Sequence, residues 1–183
     1  AGESVSTGTN NTLIGGLAGD ALTSGNNNVV MGTGTLTRDT LGAKSVAIGV
    51  SALSFQNFTT ATDAYNTAVG YNAGYAVTLG IDNTLIGATA GDALTDADYN
   101  VALGMQALGA DTLGSRSTAI GRRSLYTQNF TTATDTYNTA VGFNSGYSVT
   151  TGIQNTLIGG LAGDALTDAD FNIAIGTYAL TSD

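Results

Sequence analysis

The sequence contains neither cysteine nor histidine. The first absence removes disulfides and thiolate metal sites while leaving the redox compartment open. The second removes the commonest general base and the commonest metal ligand together. Only one Glu and one Lys occur, Glu3 and Lys44, and no run of helix formers is present, so helix is not expected. Bases are scarce as well: 5 Lys and Arg stand against 14 Asp and Glu, a net charge of −9, which argues against nucleic acid or an anionic membrane as the partner. No apolar run approaches the roughly 20 residues needed to cross a bilayer, and no signal peptide is visible, so no membrane insertion by this segment is expected. The chain opens at Ala1 without Met and already in repeat-like sequence, and it is therefore expected to be a fragment of something longer.

What fills the 183 residues is repetition. The stretch Asn11 to Gly15, Asn-Thr-Leu-Ile-Gly, returns in near copies that close on Gly15, Gly32, Gly49, Gly70, Gly87, Gly104, Gly121, Gly142, Gly159 and Gly176. Their spacings are 17, 17, 21, 17, 17, 17, 21, 17 and 17, so the pattern recurs after 72 residues. Two nested periods of this kind mark a repeat array, counted as one rod-like domain over residues 11–183 behind a polar lead-in over residues 1–10.

Reading the five positions as columns gives the chemistry of the unit. The first is Asn in eight copies and Ser in two, Ser45 and Ser117. The second is always β-branched, and the fourth is always Ile, Val, Leu or Met. The third consists of Leu13, Val30, Ala47, Ala68, Leu85, Ala102, Ala119, Ala140, Leu157 and Ala174. Such content ended by glycine reads as a short strand, with the second and fourth columns on one face and the third on the other. The fold class is therefore all-β: a parallel β-solenoid of ten coils of 17 or 21 residues, rising about 4.8 Å per coil to roughly 48 Å.

Both strand faces are apolar, whereas a solitary solenoid would wet one of them. The second and fourth columns, including Thr12, Thr67, Thr84, Thr118, Thr139 and Thr156, are expected to point inward. The third column is then an outer stripe, expected to be an oligomer interface covered by identical stripes on other copies. The alternative is a coil wide enough for its own second layer to shield that column.

Further columns describe the corners. Three residues after each motif glycine the side chain is small, as at Ala18, Ala52 and Ala107, and the next position is either Gly or Leu. A second glycine ten residues after the first occurs in five coils, so each coil is expected to hold two or three short strands with two or more bends. The 21-residue coils, Ser45 to Tyr65 and Ser117 to Tyr137, carry their extra residues in aromatic and Thr-rich sequence.

Repeats of the form Asn/Ser-x-x-x-Gly-x-x-Ala/Ser, as in Ser45 to Ala52 and Asn66 to Ala73, resemble the head repeats of trimeric autotransporter adhesins. In the form Asn-Thr-Ala-Val-Gly-Tyr, Asn66 to Tyr71, they are also similar to the repeat regions of bacteriophage tail fibres. The resemblance covers ten coils and implies a left-handed β-roll wound from three chains, displayed on a cell or virion surface and used for attachment. Coils of 17 and 21 residues are longer than those usual in adhesin heads. The expected function is thus a structural and attachment module of a homotrimeric, extracellular fibre, a phage tail fibre ahead of a bacterial adhesin.

The site readings follow from position. The Asn column is expected to be a hydrogen-bonded ladder rather than a ligand row. Asp96, Asp98, Asp168 and Asp170 invite a calcium reading, but Ser24 and Asn26 hold the equivalent places in the first set, so turn residues are preferred and no metal or cofactor is expected. Acids that recur with the coils do not make a unique catalytic pair, so no enzyme is expected. Ice or mineral binding would need an outward Thr-x-Thr array. The bulges of the longer coils offer a host glycan or protein contact at Phe55, Phe58, Thr59, Thr60, Tyr65, Tyr126, Phe130, Thr131, Thr132 and Tyr137. The competing reading folds Phe58 and Phe130 back as plugs.

Overall fold

The structure, a computed structural model, describes residues 1–181; Ser182 and Asp183, the end of the expected repeat domain, lie outside the described residues. It is an all-β parallel solenoid. The strands are β1 (Thr12–Ile14), β2 (Val29–Met31), β3 (Gly42–Ala43), β4 (Val46–Ile48), β5 (Thr62–Asp63), β6 (Thr67–Val69), β7 (Thr84–Ile86), β8 (Val101–Leu103), β9 (Gly114–Ser115), β10 (Thr118–Ile120), β11 (Thr134–Asp135), β12 (Thr139–Val141), β13 (Thr156–Ile158) and β14 (Ile173–Ile175). Ten of them form one sheet in the order β1-β2-β4-β6-β7-β8-β10-β12-β13-β14, every pair parallel and in the register of the repeat, as in Leu85 beside Ala102. The pairs β3/β5 and β9/β11 are separate and occur only where a longer coil stacks on its predecessor. A 17-residue coil therefore has two paired strands where it precedes a longer coil, as expected, and otherwise one rather than two or three. Its remaining backbone is held by single bonds from coil to coil through the corners, such as Gly19 N–H to the Thr35 carbonyl (3.0 Å) and Leu36 N–H to the Ala52 carbonyl (3.0 Å).

The lead-in behaves as the closing part of a preceding coil. Gly2 N–H donates to the Ala18 carbonyl (2.9 Å), Ser4 N–H to that of Asp20 (3.0 Å), and Val5 packs against the core.

The faces of the sheet are the reverse of the expectation. The third column points inward: Val30, Ala47, Ala68, Leu85, Ala102, Ala119, Ala140 and Leu157 are wholly buried, Ala174 nearly so, and Leu13 packs against the same core. These residues are enclosed by their own chain and cannot be an oligomer interface. The second and fourth columns point outward, the Thr residues among them, and every side chain in them is half-buried or exposed. The reason is volume. A narrow coil has room for one inward side chain per strand, and the column that holds mostly Ala is the one that fits.

Packing in that narrow interior explains the Gly/Leu alternation at the corner. A β-carbon on Gly91 would come within 2.7 Å of Leu85, and one on Gly74 within 2.7 Å of Leu85 and 2.9 Å of Leu53. Coils with Leu in the third column, at 13, 85 and 157, therefore carry Gly at the corner, at 19, 91 and 163. Coils with Ala at 47, 102 and 119 carry Leu53, Leu108 and Leu125 there, all wholly buried, whereas the coils of Ala68 and Ala140 carry Gly74 and Gly146 because Leu85 and Leu53, or Leu157 and Leu125, reach in from the neighbouring coils. The corner residues, Leu included, sit at positive φ, for example 48° at Leu53 and 52° at Leu108, a conformation costly for a branched side chain and held in place by the burial it achieves. The motif glycine is required for a different reason. At Gly104, φ is +136° and a β-carbon would meet the Gly121 carbonyl oxygen of the next coil at 2.5 Å.

The Asn column is the ladder. Asn83 Nδ2 donates to the Ala97 carbonyl (2.8 Å), closing its own coil, and Asn83 Oδ1 accepts from Asn100 N–H (3.0 Å), tying on the next. Serine at positions 45 and 117 is too short to continue it, and a side chain from the longer coil takes over. Gln56 Nε2 donates to Ser45 Oγ (3.3 Å) and to buried Asp39 (2.6 Å), and its Oε1 accepts from Asn66 (2.9 Å). Gln128, Ser117, Asp111 and Asn138 repeat the arrangement 72 residues on. Asp39 also accepts from Gly42 N–H and Phe58 N–H, both at 3.0 Å, so this charge-bearing group is fully hydrogen-bonded inside the coil.

Candidate functional site

Two surface features have chemistry beyond holding the coil together. The first is the outward face of the sheet. Its twenty positions carry no charged residue, and Thr is the only polar type among them. The fourth column forms an unbroken row whose exposed members include Ile14 (54%) and Leu103 (41%). Because strands repeat about every 4.8 Å, the row is a regular series of ridges and grooves along the rod. The outward pattern is Thr, Val or Ile followed two residues on by Ile, Val, Leu or Met, never Thr-x-Thr, so the array that an ice-binding role would need is not formed.

The second feature is the longer coil and the corner beside it, where the structure divides the ten sequence-predicted contact residues into three groups. Phe58 and Phe130 are buried (4% and 7% exposed), with Leu41 N–H and Thr40 Oγ1 donating to the Phe58 carbonyl at 3.1 and 2.9 Å. They are plugs and cannot contact a ligand. Phe55 and Tyr126 are half-buried on another wall. Phe55 packs edge-on against Tyr75 (4.8 Å) beneath the Arg38 guanidinium (3.7 Å), and Tyr126 stacks on Tyr147 (5.4 Å) beside Arg123 (5.4 Å). Thr59, Thr60, Thr131 and Thr132 are exposed tips, and Tyr65 and Tyr137 are exposed at the corner that leads into the sheet.

That corner carries one residue immediately before each ladder position, always at positive φ: Asn10, Asn27, Lys44, Tyr65, Asp82, Tyr99, Arg116, Tyr137, Gln154 and Phe171, with φ between 50° and 64°. From Asn27 on and outside the longer coils, each N–H donates to the preceding coil, as from Asp82 to Ala64 (2.8 Å), Arg116 to Asp98 (3.0 Å) and Gln154 to Thr136 (2.7 Å), whereas before Tyr65 and Tyr137 it is Ala64 and Thr136 that donate, to Ala43 and Ser115 (both 2.9 Å). Lys44 Nζ donates to Asp63 Oδ2 (2.7 Å) and to the Tyr65 hydroxyl (2.9 Å) and lies 5.0 Å from that ring. These bonds hold the Lys44 ammonium above its ordinary pKa and the Asp63 carboxyl below its own. Arg116 lies between two rings, 4.7 Å from Tyr99 and 6.0 Å from Tyr137, with its Nε 2.9 Å from Asp135. The part played by Tyr99 and Phe171 in this row is not evident from the longer coils alone. It emerges when the residue before each Asn is read as a column of its own.

Three of the four acids first weighed for calcium bond to the previous coil, and the fourth, Asp168, is exposed and accepts from the Thr167 hydroxyl (3.1 Å). Asp98 accepts from Ile81 N–H (2.8 Å) and Asp170 from Ile153 N–H (2.7 Å), each fixing a turn of the previous coil, and Asp96 accepts from Thr78 (2.5 Å). Burial raises the Asp98 carboxyl above its usual range, against the bond from Ile81, and burial does the same at Asp92.

No family model, curated protein or solved structure matches the chain.

Proposed function

We propose that the chain is the repeat section of a homotrimeric surface fibre and serves in attachment, its copies joined through the outward face of the sheet. The observation that carries this is a two-column face, ten strands long, with no charge in it. Left in water, so large a continuous apolar patch is a liability, and burying it stabilises by about 25 cal/mol for each Å² covered. A second copy is the occupant whose chemistry and ridge spacing both match, since an identical sheet has the same period of about 4.8 Å along its whole length. The resemblance of the repeats supports three chains rather than two, and an extracellular setting. The longer coils favour a phage tail fibre over an adhesin head.

Light scattering at micromolar concentration tests the assembly. The unmodified chain is expected to run at three times its 18.3 kDa mass. Ile48→Asp, Ile86→Asp and Ile120→Asp together are expected to give a folded monomer, because each places an unpaired charge in the joined face. A well-folded, unmodified monomer at that concentration would sink the proposal.

A further inference from the structure

Along the corner leading into the sheet, rings recur in every second coil, at Tyr65, Tyr99, Tyr137 and Phe171, each 45% or more exposed. Rings two coils apart are separated by roughly 9.6 Å, and a cation midway lies about 4.8 Å from each, inside the roughly 6 Å over which an aromatic face attracts it. The chain fills one such gap itself. Arg116 lies between Tyr99 and Tyr137 and is steadied by Asp135. One gap earlier, between Tyr65 and Tyr99, the backbone-equivalent residue is Asp82, which is exposed and forms no ion pair among the described residues. Here the two rings and the carboxylate are present, and the cation is not supplied by the chain.

We propose that the gap formed by Tyr65, Asp82 and Tyr99 binds a guanidinium group, the arginine side chain of a partner protein's surface. The neighbouring gap shows that a guanidinium fits between two such rings. Its planar fork also suits both the ring faces and a carboxylate better than a compact ammonium does. The net field also leans towards a cation: the chain carries −9 overall, and Asp96 and Asp98 stand in the same region as Asp82, partly offset by Arg116 beside Tyr99 and Lys44 beside Tyr65. The 72-residue repeat contains its own control. At Tyr137, Gln154 and Phe171 the rings recur, and a neutral amide replaces the carboxylate. This deepens the attachment reading by naming what the partner surface would offer, and it rests on that reading only for there being a partner to meet.

The test is a titration of the intact chain with N-acetylarginine amide at low salt, following the tyrosine ring signals by NMR and the assembly mass by light scattering on the same samples. Saturable shifts at Tyr65 and Tyr99 are expected. D82N is expected to weaken them at least fivefold, and Q154D to create a second responsive site at Tyr137 and Phe171. No saturable shift, or shifts unchanged by D82N, would overturn the proposal. Equal binding of N-acetyllysine amide would overturn the guanidinium assignment. The mass separates the two readings: a monomer that binds arginine leaves this site standing and removes the fibre, whereas a trimer that does not bind does the reverse.

Discussion

The two faces of each strand in the ten-stranded sheet are both free of charge and have opposite duties. Inward, the third column is Ala, Val or Leu and packs against the corners of its own and the adjacent coils, Leu85 against Gly91 and Gly74, Ala102 beside a coil with Leu108 at its corner. Outward, the second and fourth columns hold larger Val, Ile, Leu and Met beside Thr. Charge does not separate inside from outside here; the inward column is mostly Ala and wholly apolar, and every Thr of those strands faces outward. An interior one side chain wide selects on volume, whereas a face that meets another surface selects on being apolar and regular.

The sharpest way to break the comparison is the same substitution on either face. Ala102→Asp puts an unpaired carboxylate at a wholly buried site, and loss of several kcal/mol, enough to unfold the array locally or entirely, is expected in thermal or denaturant melts. Ile86→Asp, one strand away and half-buried, is expected to leave the coil's secondary structure intact by circular dichroism. If both variants unfold alike, the outward column is not an outer surface.

A smaller effect probes the volume rule itself. Leu85→Ala should cost about 2–5 kcal/mol, as large-to-small changes in cores do. Adding Gly91→Leu puts a leucine at the corner as at Leu108, and since a β-carbon there also meets Leu94 at 2.9 Å and φ is positive, only part of the loss should return. A double variant no more stable than the single one in urea melts would show that the Gly/Leu alternation has another cause.

The smallest expected effect is that of pH. Asp92 and Asp98 have carboxyls raised by burial, so the stability linked to them is present below the unfolded pKa and is lost as pH rises through the folded value. Asp63 is lowered by Lys44, so its contribution is present above the unfolded pKa and lost as pH falls. The two oppose each other in the acid range, and with no histidine the melting temperature should be flat between about pH 6 and 8. A transition inside that window would point to a bound ion or a strongly shifted group on one of the two faces.

Much of the fold was legible because it is local and repeated. Period, strand position, parallel register and the Asn ladder all follow from residues at constant spacing, since stacked coils place each residue 17 or 21 positions from its like. The burial of Phe58 and Phe130 was legible only as one of two readings, because an insertion can bulge or fold in. Gln56 reaching back to repair the ladder at Ser45 was not legible at all, for that contact joins columns that have no fixed spacing in a shorter coil.

By itself, the sequence determined that the chain is a parallel β-solenoid with two apolar strand faces and an acidic surface. Only the tertiary structure decided which face is inside. Alternation along a strand distinguishes two sides without labelling them. The label comes from the width of the closed coil, which admits Ala102 and Leu85 and turns Ile86 and Leu103 outward.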